Sequence, residues 1–255
     1  MSEPIVLYDI PTIFPGTSKA WSPNTWRIRL ALAYKGLSFK TEWVDWPDIE
    51  NVCKAIGAEP TGIKAAGGPF YTLPVIRDPE TGAVISDSLK IALYLDKTYP
   101  NTPPLFPHNT QTFQSAFGHA AYMAIIGAMF HTVALPTANS FSPAGSEYFR
   151  ATRTSNFGEA FKIPESRPAD EVAQFWKALE GGFDLVSTWW DTGNSNGPFI
   201  MGDSLTYGDT VIAGLLYWAK VVLGEDSEGW KKFIVWDGGR WARLLKAFEQ
   251  YENMN

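Results

Sequence analysis

The chain contains 255 residues, of which 45% are hydrophobic and 15% aromatic, and it carries a formal net charge of -6 at pH 7. This composition supplies a proper core for one large domain or two small ones and excludes a disordered chain. The acidic balance, with no basic run anywhere, excludes a general role in nucleic-acid binding, which needs concentrated Lys and Arg.

The N-terminal sequence and the cysteine content predict the compartment. The first residues, MSEPIVLYDIP, lack a charged n-region followed by an apolar h-region, and no apolar stretch approaches the ~20 residues that span a bilayer. The one cysteine, Cys53, excludes an intramolecular disulfide, a Cys-based zinc cluster and dithiol redox chemistry. We therefore expect a cytoplasmic protein without membrane partners, in which Cys53 is a small buried hydrophobic residue.

The N-terminal part of the chain has an α/β pattern. Apolar runs predict strands at 4–10 and 37–45, and helical spacing at 24–36 predicts a helix between them, so the two strands should be parallel with a right-handed crossover. The chain then predicts, in order, a short helix near 47–57, a Gly-rich loop GIKAAGGP, two apolar segments at 71–78 and 83–88 joined by a turn, and a helix from Ser88 to about Tyr99. The predicted order is β-α-β-α-β-β-α.

The composition changes at residues 100–110, a linker that contains four prolines. Beyond it the long periodic segments are helical, at about 110–135, 168–192, 207–223 and 239–252. Residues 136–167, rich in Ser, Phe and Pro, predict a loop or a broken helix. The expected organisation is an α/β domain at 1–99 and an all-α domain at 110–255.

The stretch WSPNTWRIRL at 21–30 has two interpretations. Ser22 followed by Pro23 is the ordinary start of a helix, because a serine N-cap accepts a backbone N–H and a proline at the first position has no donor to leave unpaired. The same position follows the first strand, where parallel sheets usually carry their sites. A cap and an active site both remain open from the local sequence.

Two further places can carry binding chemistry. Leu73-Pro74 lies in a predicted strand, where a proline removes a ladder donor and favours a cis bond or an edge position. A cis bond would turn the backbone of Leu73 outward to pair with an extended peptide. At Ser86, Asp87 and Ser88 a strand gives way to a helix, and these groups can receive the ammonium and carboxylate of an amino acid together. An edge-strand proline and a simple N-cap are the plain alternatives.

The whole chain resembles the glutathione transferase family. The resemblance rests on the element order, Pro74 before the third strand, Asp87-Ser88 at the third helix, and the segment FIMGDSLTYGDT, where Thr206 and Asp209 form a capping box. It implies a thioredoxin-like N-terminal domain and an all-helical C-terminal domain. The segment SPNTWRIRLALAYKGLSF most resembles the fungal etherase-like transferases, which are related to the bacterial β-aryl etherases.

The resemblance implies roles for individual residues. Ser22 stands where related thiol enzymes carry Cys, so its hydroxyl would stabilise the thiolate of glutathione, the co-substrate, with Asn24 as a second candidate donor whose share stays open. The Leu73 backbone, before cis-Pro74, would meet the cysteinyl amide. Asp87 and Ser88 would hold the γ-glutamyl end. Either Lys54 or Lys64 would meet the glycyl carboxylate.

The resemblance also implies an acceptor pocket between the domains and assembly into a homodimer. The apolar residues expected to line that pocket are Tyr122, Met123, Ile126, Phe130 and Phe141. His119 and His131 have no partner at metal-ligand spacing, so no metal is expected. Two functions remain: a transferase acting on hydrophobic or aromatic electrophiles, and a ligandin that binds hydrophobic phenolics without converting them.

Overall fold

The computed structural model describes residues 3–193 and 196–252 and shows a mixed sheet domain followed by a helical one. The first part contains β1 (Ile5–Asp9), α1 (Pro23–Tyr34), β2 (Phe39–Trp43), α2 (Ile49–Ala55), β3 (Gly62–Ile63), β4 (Pro69–Phe70), β5 (Val75–Arg77), β6 (Val84–Ser86) and α3 (Ser88–Thr98). The second contains α4 (Gln111–Asn139), α5 (Pro143–Phe157), α6 (Ala169–Asp191), α7 (Tyr207–Leu223) and α8 (Glu228–Phe248). The predicted fold class, thioredoxin-like followed by all-helical, is confirmed.

The main sheet has the strand order β2-β1-β5-β6. β1 and β2 are parallel, as the β-α-β pattern predicts, while β5 is antiparallel to both of its neighbours. The Leu73-Pro74 bond is cis, but β5 begins only at Val75, so the proline precedes the strand instead of lying inside it. This corrects the predicted strand at 71–78, because a proline without an N–H falls outside the ladder of a central strand.

The segment 136–167, predicted as a loop or a broken helix, is largely helical. α4 continues through Pro136 to Asn139, and α5 then covers Pro143–Phe157. The Ser142 Oγ accepts a hydrogen bond from the backbone N–H of Gly145, and Pro143 occupies the first helical position. A serine cap followed by a proline therefore starts α5.

Other boundaries differ more modestly. The Gly-rich loop at 62–69 contains a short hairpin, with Gly62 paired to Phe70 and Ile63 to Pro69. The last predicted helix, at 239–252, is only the second half of α8, which starts at Glu228 and bends over Trp236–Gly239, where three successive residues have positive φ.

α4 is longer than the helix predicted at about 110–135, and its apolar stretch is longer than the sequence analysis predicted. It has 29 residues and an 18-residue window of mean hydropathy 1.4, so by length and composition alone it is able to cross a membrane. The helix nevertheless packs along α6 and α7. The central helix of a globular bundle meets the same criterion, because both environments favour uncharged, apolar sequences.

α7 is buried along most of its length, and its N-terminus is satisfied by the predicted capping box. The carboxylate of Asp209 is completely buried and accepts hydrogen bonds from the backbone N–H groups of Ile200 (2.7 Å) and Thr206 (2.8 Å). The Thr206 hydroxyl lies 2.7 Å from Asp209 Oδ2 and 3.1 Å from Gln114 Oε1. The box therefore ties α7 to α4, and its role is structural.

Burial raises the pKa of Asp209 to about 6, against the hydrogen bonds that favour its charged form. Since this pKa lies above the unfolded value of ~3.9, the folded state binds the proton more tightly, and the carboxyl adds stability as pH falls through about 6. The Thr206 hydroxyl can accommodate the proton by turning its own hydrogen to Gln114.

We therefore expect Asp209→Asn to lower the free energy of unfolding by ~2–3 kcal/mol near neutral pH, because an amide nitrogen would face the Thr206 N–H donor. The deficit relative to the native protein should grow by ~1 kcal/mol between about pH 7.5 and about pH 5, since only the native carboxyl gains a proton. Urea unfolding at both pH values measures it. Asp203→Asn, at an exposed carboxyl in the preceding loop, is the control, and a deficit that shrinks on acidification would contradict the assignment.

Candidate functional site

A cleft of about 490 Å³ opens between the sheet domain and helices α4 and α5. The sheet domain contributes the residues around Ser22 and Leu73 to its lining, and α4 contributes Tyr122, Met123, Ile126 and Phe130, as predicted. Phe141 does not line the cleft. It is buried behind the wall, where the centroid of its ring lies 5.1 Å from that of Trp21. The prediction that Phe141 lines the cleft is therefore wrong.

Ser22 is the N-cap of α1, but its side chain makes no capping hydrogen bond. Its backbone carbonyl accepts from the Trp26 N–H at 2.9 Å and from the Thr25 hydroxyl at 3.1 Å. Both Ser22 and Asn24 line the cleft. The hydroxyl is thus left for another partner at a helix N-terminus, where the macrodipole favours negative charge.

Leu73 also lines the cleft, while Pro74 does not. The β1–β5 ladder joins Tyr8 to Val75 and goes no further toward Leu73. The backbone of Leu73 therefore lies next to the sheet without taking part in its ladder, which is the arrangement that pairing with an extended peptide requires.

Asp87 and Ser88 stand at the same end of the sheet but outside the residues that bound the cleft. Ser86 pairs with Val75, two positions after Leu73, and its Oγ is buried without a hydrogen-bond partner among the residues described. Asp87 is the N-cap of α3: its Oδ1 accepts from Leu89 N and Lys90 N at 3.0 and 3.1 Å. A φ of 80° at Asp87 is strained for a residue with a side chain, and such strain concentrates at functional sites.

The two candidate lysines share one carboxylate. Glu50 binds Lys54 Nζ through Oε1 at 2.6 Å and Lys64 Nζ through Oε2 at 2.5 Å. Hydrogen bonds from Lys54 and then Lys64 lower the pKa of the exposed Glu50 carboxyl to about 2. Lys64 and Glu50 line the cleft, whereas Lys54 does not.

The cleft has an aromatic wall that sequence reasoning missed in part. The missed aromatic residues are Trp21, Trp46, Phe70, Tyr71, Tyr148, Phe149, Phe157, Phe161 and Trp218. Four of them lie in 136–167, where the predicted loop hid the helical spacing that would have grouped them. Arg153 on α5 is also in this wall and was not predicted.

The remaining sequence candidates are structural. Cys53 is buried, and burial raises the pKa of its thiol to about 11, so the side chain stays neutral like a small hydrophobic residue. His119 is exposed, and His131 stacks on Phe175 with 4.5 Å between ring centroids. Burial, and then the charge of Arg167, lowers the pKa of His131. Residues 3–193 and 196–252 contain no group of three or more His, Cys, Asp or Glu arranged to hold a metal ion.

Comparison with known proteins identifies the family of the chain. Residues 21–98 match the model of the glutathione S-transferase N-terminal domain, and residues 112–251 match that of the C-terminal domain. The glutathione S-transferase-like protein ustS of Aspergillus flavus is 31% identical over 98% of this chain and 91% of its own length.

Two crystal structures of fungal enzymes resemble the chain over their whole length. The glutathione S-transferase CsGST63524 of Ceriporiopsis subvermispora, solved in complex with glutathione, is 44% identical, with a TM-score of 0.92 over 99% of each chain. The glutathione transferase GSTFuA3 of Phanerochaete chrysosporium is 41% identical, with a TM-score of 0.91 over 100% of each chain. With both domain models matched in order and full-length relatives at this identity, the chain belongs to the glutathione S-transferase family.

Proposed function

We propose that the protein uses Ser22 to stabilise the glutathione thiolate for attack on hydrophobic or aromatic electrophiles. The observation that carries the proposal is the uncommitted hydroxyl of Ser22, placed at the N-terminus of α1 and on the wall of the aromatic cleft. In an ordinary N-cap the hydroxyl accepts a hydrogen bond from the helix backbone and is not available to a ligand in this way.

The energies are sufficient for this role. A free thiol has a pKa of ~8.5, and lowering it by ~2 units requires ~2.7 kcal/mol in favour of the thiolate. A helix N-terminus contributes ~0.3–1 kcal/mol, rising to ~2 where it is partly buried. One hydrogen bond to a charged group adds ~1.5–3 kcal/mol. The hydroxyl and the helix end together reach the required size, and Asn24 is available to share the work.

The residues around the sheet edge fit the peptide part of glutathione. We assign the cysteinyl amide to the free backbone of Leu73 before Pro74, and the γ-glutamyl end to Asp87, whose Oδ2 takes no part in the cap, and to Ser88. The buried Ser86 hydroxyl, which lacks a partner in the described chain, adds a polar group beside them. The relative from Ceriporiopsis subvermispora was solved in complex with glutathione, which supports glutathione as the ligand.

The proposed chemistry is a substitution or an addition at carbon, without net oxidation. The thiol proton passes to solvent and a carbon–sulfur bond forms. In a substitution the leaving group departs with its bonding electron pair, and in an addition the acceptor receives the displaced π-electron pair and takes up a proton from solvent. Isothiocyanates, chloroarenes and benzylic ethers suit an aromatic-walled cleft, and the last of these corresponds to the etherase-like subclass.

A ligandin is the second candidate, favoured by the extent of the aromatic wall. In that role glutathione would still bind, and the cleft would hold phenolic compounds without converting them. The two candidates differ in whether Ser22 acts on the sulfur.

The proposal predicts that glutathione bound to the native protein has a thiol pKa well below ~8.5, and that Ser22→Ala raises it by ~1–2 units. Thiolate absorbance in the ultraviolet, followed from about pH 5 to about pH 9, measures it. Asn24→Ala in the same titration apportions the effect between the two donors.

Ser227→Ala is the matched control, because the Ser227 Oγ does accept a capping hydrogen bond, from Trp230 N at 3.0 Å. Ser227→Ala should lower the free energy of unfolding by ~1 kcal/mol and leave the thiol pKa unchanged. Ser22→Ala should raise the thiol pKa and leave the free energy of unfolding nearly unchanged, because no capping hydrogen bond is lost. An unshifted thiol in the native complex, with phenolic binding intact, would support the ligandin instead.

The cleft also predicts which lysine meets the glycyl carboxylate. We expect Lys64→Met to weaken glutathione binding by about tenfold, because a charge-assisted hydrogen bond is lost, and Lys54→Met to change it by less than about twofold. Calorimetric titration of both variants measures this. The reverse order would move the contact to Lys54.

We further propose a homodimer through the outer face of α4. Phe113 is 77% exposed, and Ala116 and Ala120 are exposed on the same face of the helix, outside the cleft lining. Small residues beside an exposed aromatic one allow another subunit to approach closely. Light scattering should show that Phe113→Glu converts the dimer into a monomer, while Val235→Glu, at another exposed apolar position on α8, leaves the dimer intact. A native protein that remains a single chain would refute the interface.

A further inference from the structure

Arg153 is a cation on the cleft wall without an acidic partner. No carboxylate of the described chain lies within ion-pair distance of its guanidinium, and its Nε is buried without a hydrogen-bond acceptor. Burial lowers its pKa to about 10, which still leaves it charged near neutral pH. A partly desolvated charge with no counter-ion is costly, so Arg153 in a ligand cleft is suited to an anion from outside the chain.

Aromatic rings hold this side chain in place. The Arg153 guanidinium carbon lies over the rings of Trp46, Phe149 and Phe157, at 5.2, 4.9 and 4.9 Å from their centroids. These contacts cover the faces of the planar group and offset part of its desolvation. Its N–H groups point outward in the plane, which is the direction in which a carboxylate binds through two parallel hydrogen bonds.

The other charges on the wall are already neutralised. Glu50 and Lys64 pair with each other, so among the described lining residues Arg153 is the cation left without an acid. Two further donors in the same wall, the Nε1 groups of Trp21 and Trp46, are also buried without acceptors. Arg27 likewise lacks an acid, but it lies under Tyr122 and outside the cleft lining.

We propose that Arg153 is a specificity-determining residue that selects aromatic acceptors or ligands carrying a carboxylate. The aromatic wall takes the ring of such a molecule and Arg153 takes its anionic group. The proposal rests on the cleft being the acceptor site of the proposed transferase or ligandin. It does not require turnover, so it stands apart from the role of Ser22.

The test compares 4-hydroxycinnamate with its methyl ester, which differ in charge and little in shape. Calorimetric titration of the full-length protein, with and without saturating glutathione, should show the acid binding about ten- to a hundredfold more tightly than the ester. Arg153→Gln should abolish this preference through loss of acid binding alone. Arg153→Lys should keep part of it, because a lysine is a point charge without the two-pronged geometry.

Arg150→Gln, one turn earlier on α5, is the matched control: Arg150 pairs with Glu165 and does not line the cleft, so the preference should persist. If Arg153→Gln does not fold, Arg153→Lys and the native acid–ester ratio carry the test. Equal binding of acid and ester to the native protein would overturn the proposal. So would an Arg153→Gln protein that keeps the preference but binds glutathione weakly, since the carboxylate recognised would then be the glycyl one.

Discussion

The geometry of the cleft depends on the close approach of α7 to the first turn of α1. A Cβ at Gly214 would collide with the backbone carbonyl of Pro23, so only glycine allows the two helices to meet at this distance. One turn further, Trp26 and Tyr217 stack with their centroids 4.1 Å apart. The residue after Ser22 is thus held by a helix of the other domain, and the position of the hydroxyl is set by packing between the domains.

α7 can lie in the centre of the structure because the backbone N–H groups at its N-terminus have hydrogen-bond partners. A helix buried on most sides leaves its first N–H groups without water, and an unsatisfied group in that position costs ~1–3 kcal/mol. The Thr206–Asp209 box and Gln114 supply the missing partners. On its other side α1 is joined to β1 by a completely buried ion pair, in which Arg29 lies 2.9 Å from Asp9. Breaking such a pair leaves a buried charge, so β1 and α1 are locked in one register.

Much of this was predictable, because local signals and tertiary packing agree. The parallel β1–β2 pair, the start of α1 at Ser22-Pro23 and the box at Thr206 and Asp209 all follow from patterns a few residues long. Residues 136–167 failed for the opposite reason: Pro136 lies inside α4 and Ser142-Pro143 starts α5, so a composition typical of loops belongs to two helices. Which of Lys54 and Lys64 lines the cleft was beyond the sequence, because it depends on how the loop between β3 and β4, which carries Lys64, packs in three dimensions.

The aromatic wall and the helix terminus would act in opposite directions on the pKa of a thiol bound as proposed. Apolar surroundings disfavour a charged sulfur, yet they strengthen any hydrogen bond or dipole that reaches it, because little water competes. Trp21 belongs to both features: it precedes Ser22 in the chain and packs against Trp46, Phe141 and Trp218. A single free hydroxyl in such a wall has more effect than it would in water, and the same reasoning applies to the unpaired charge of Arg153.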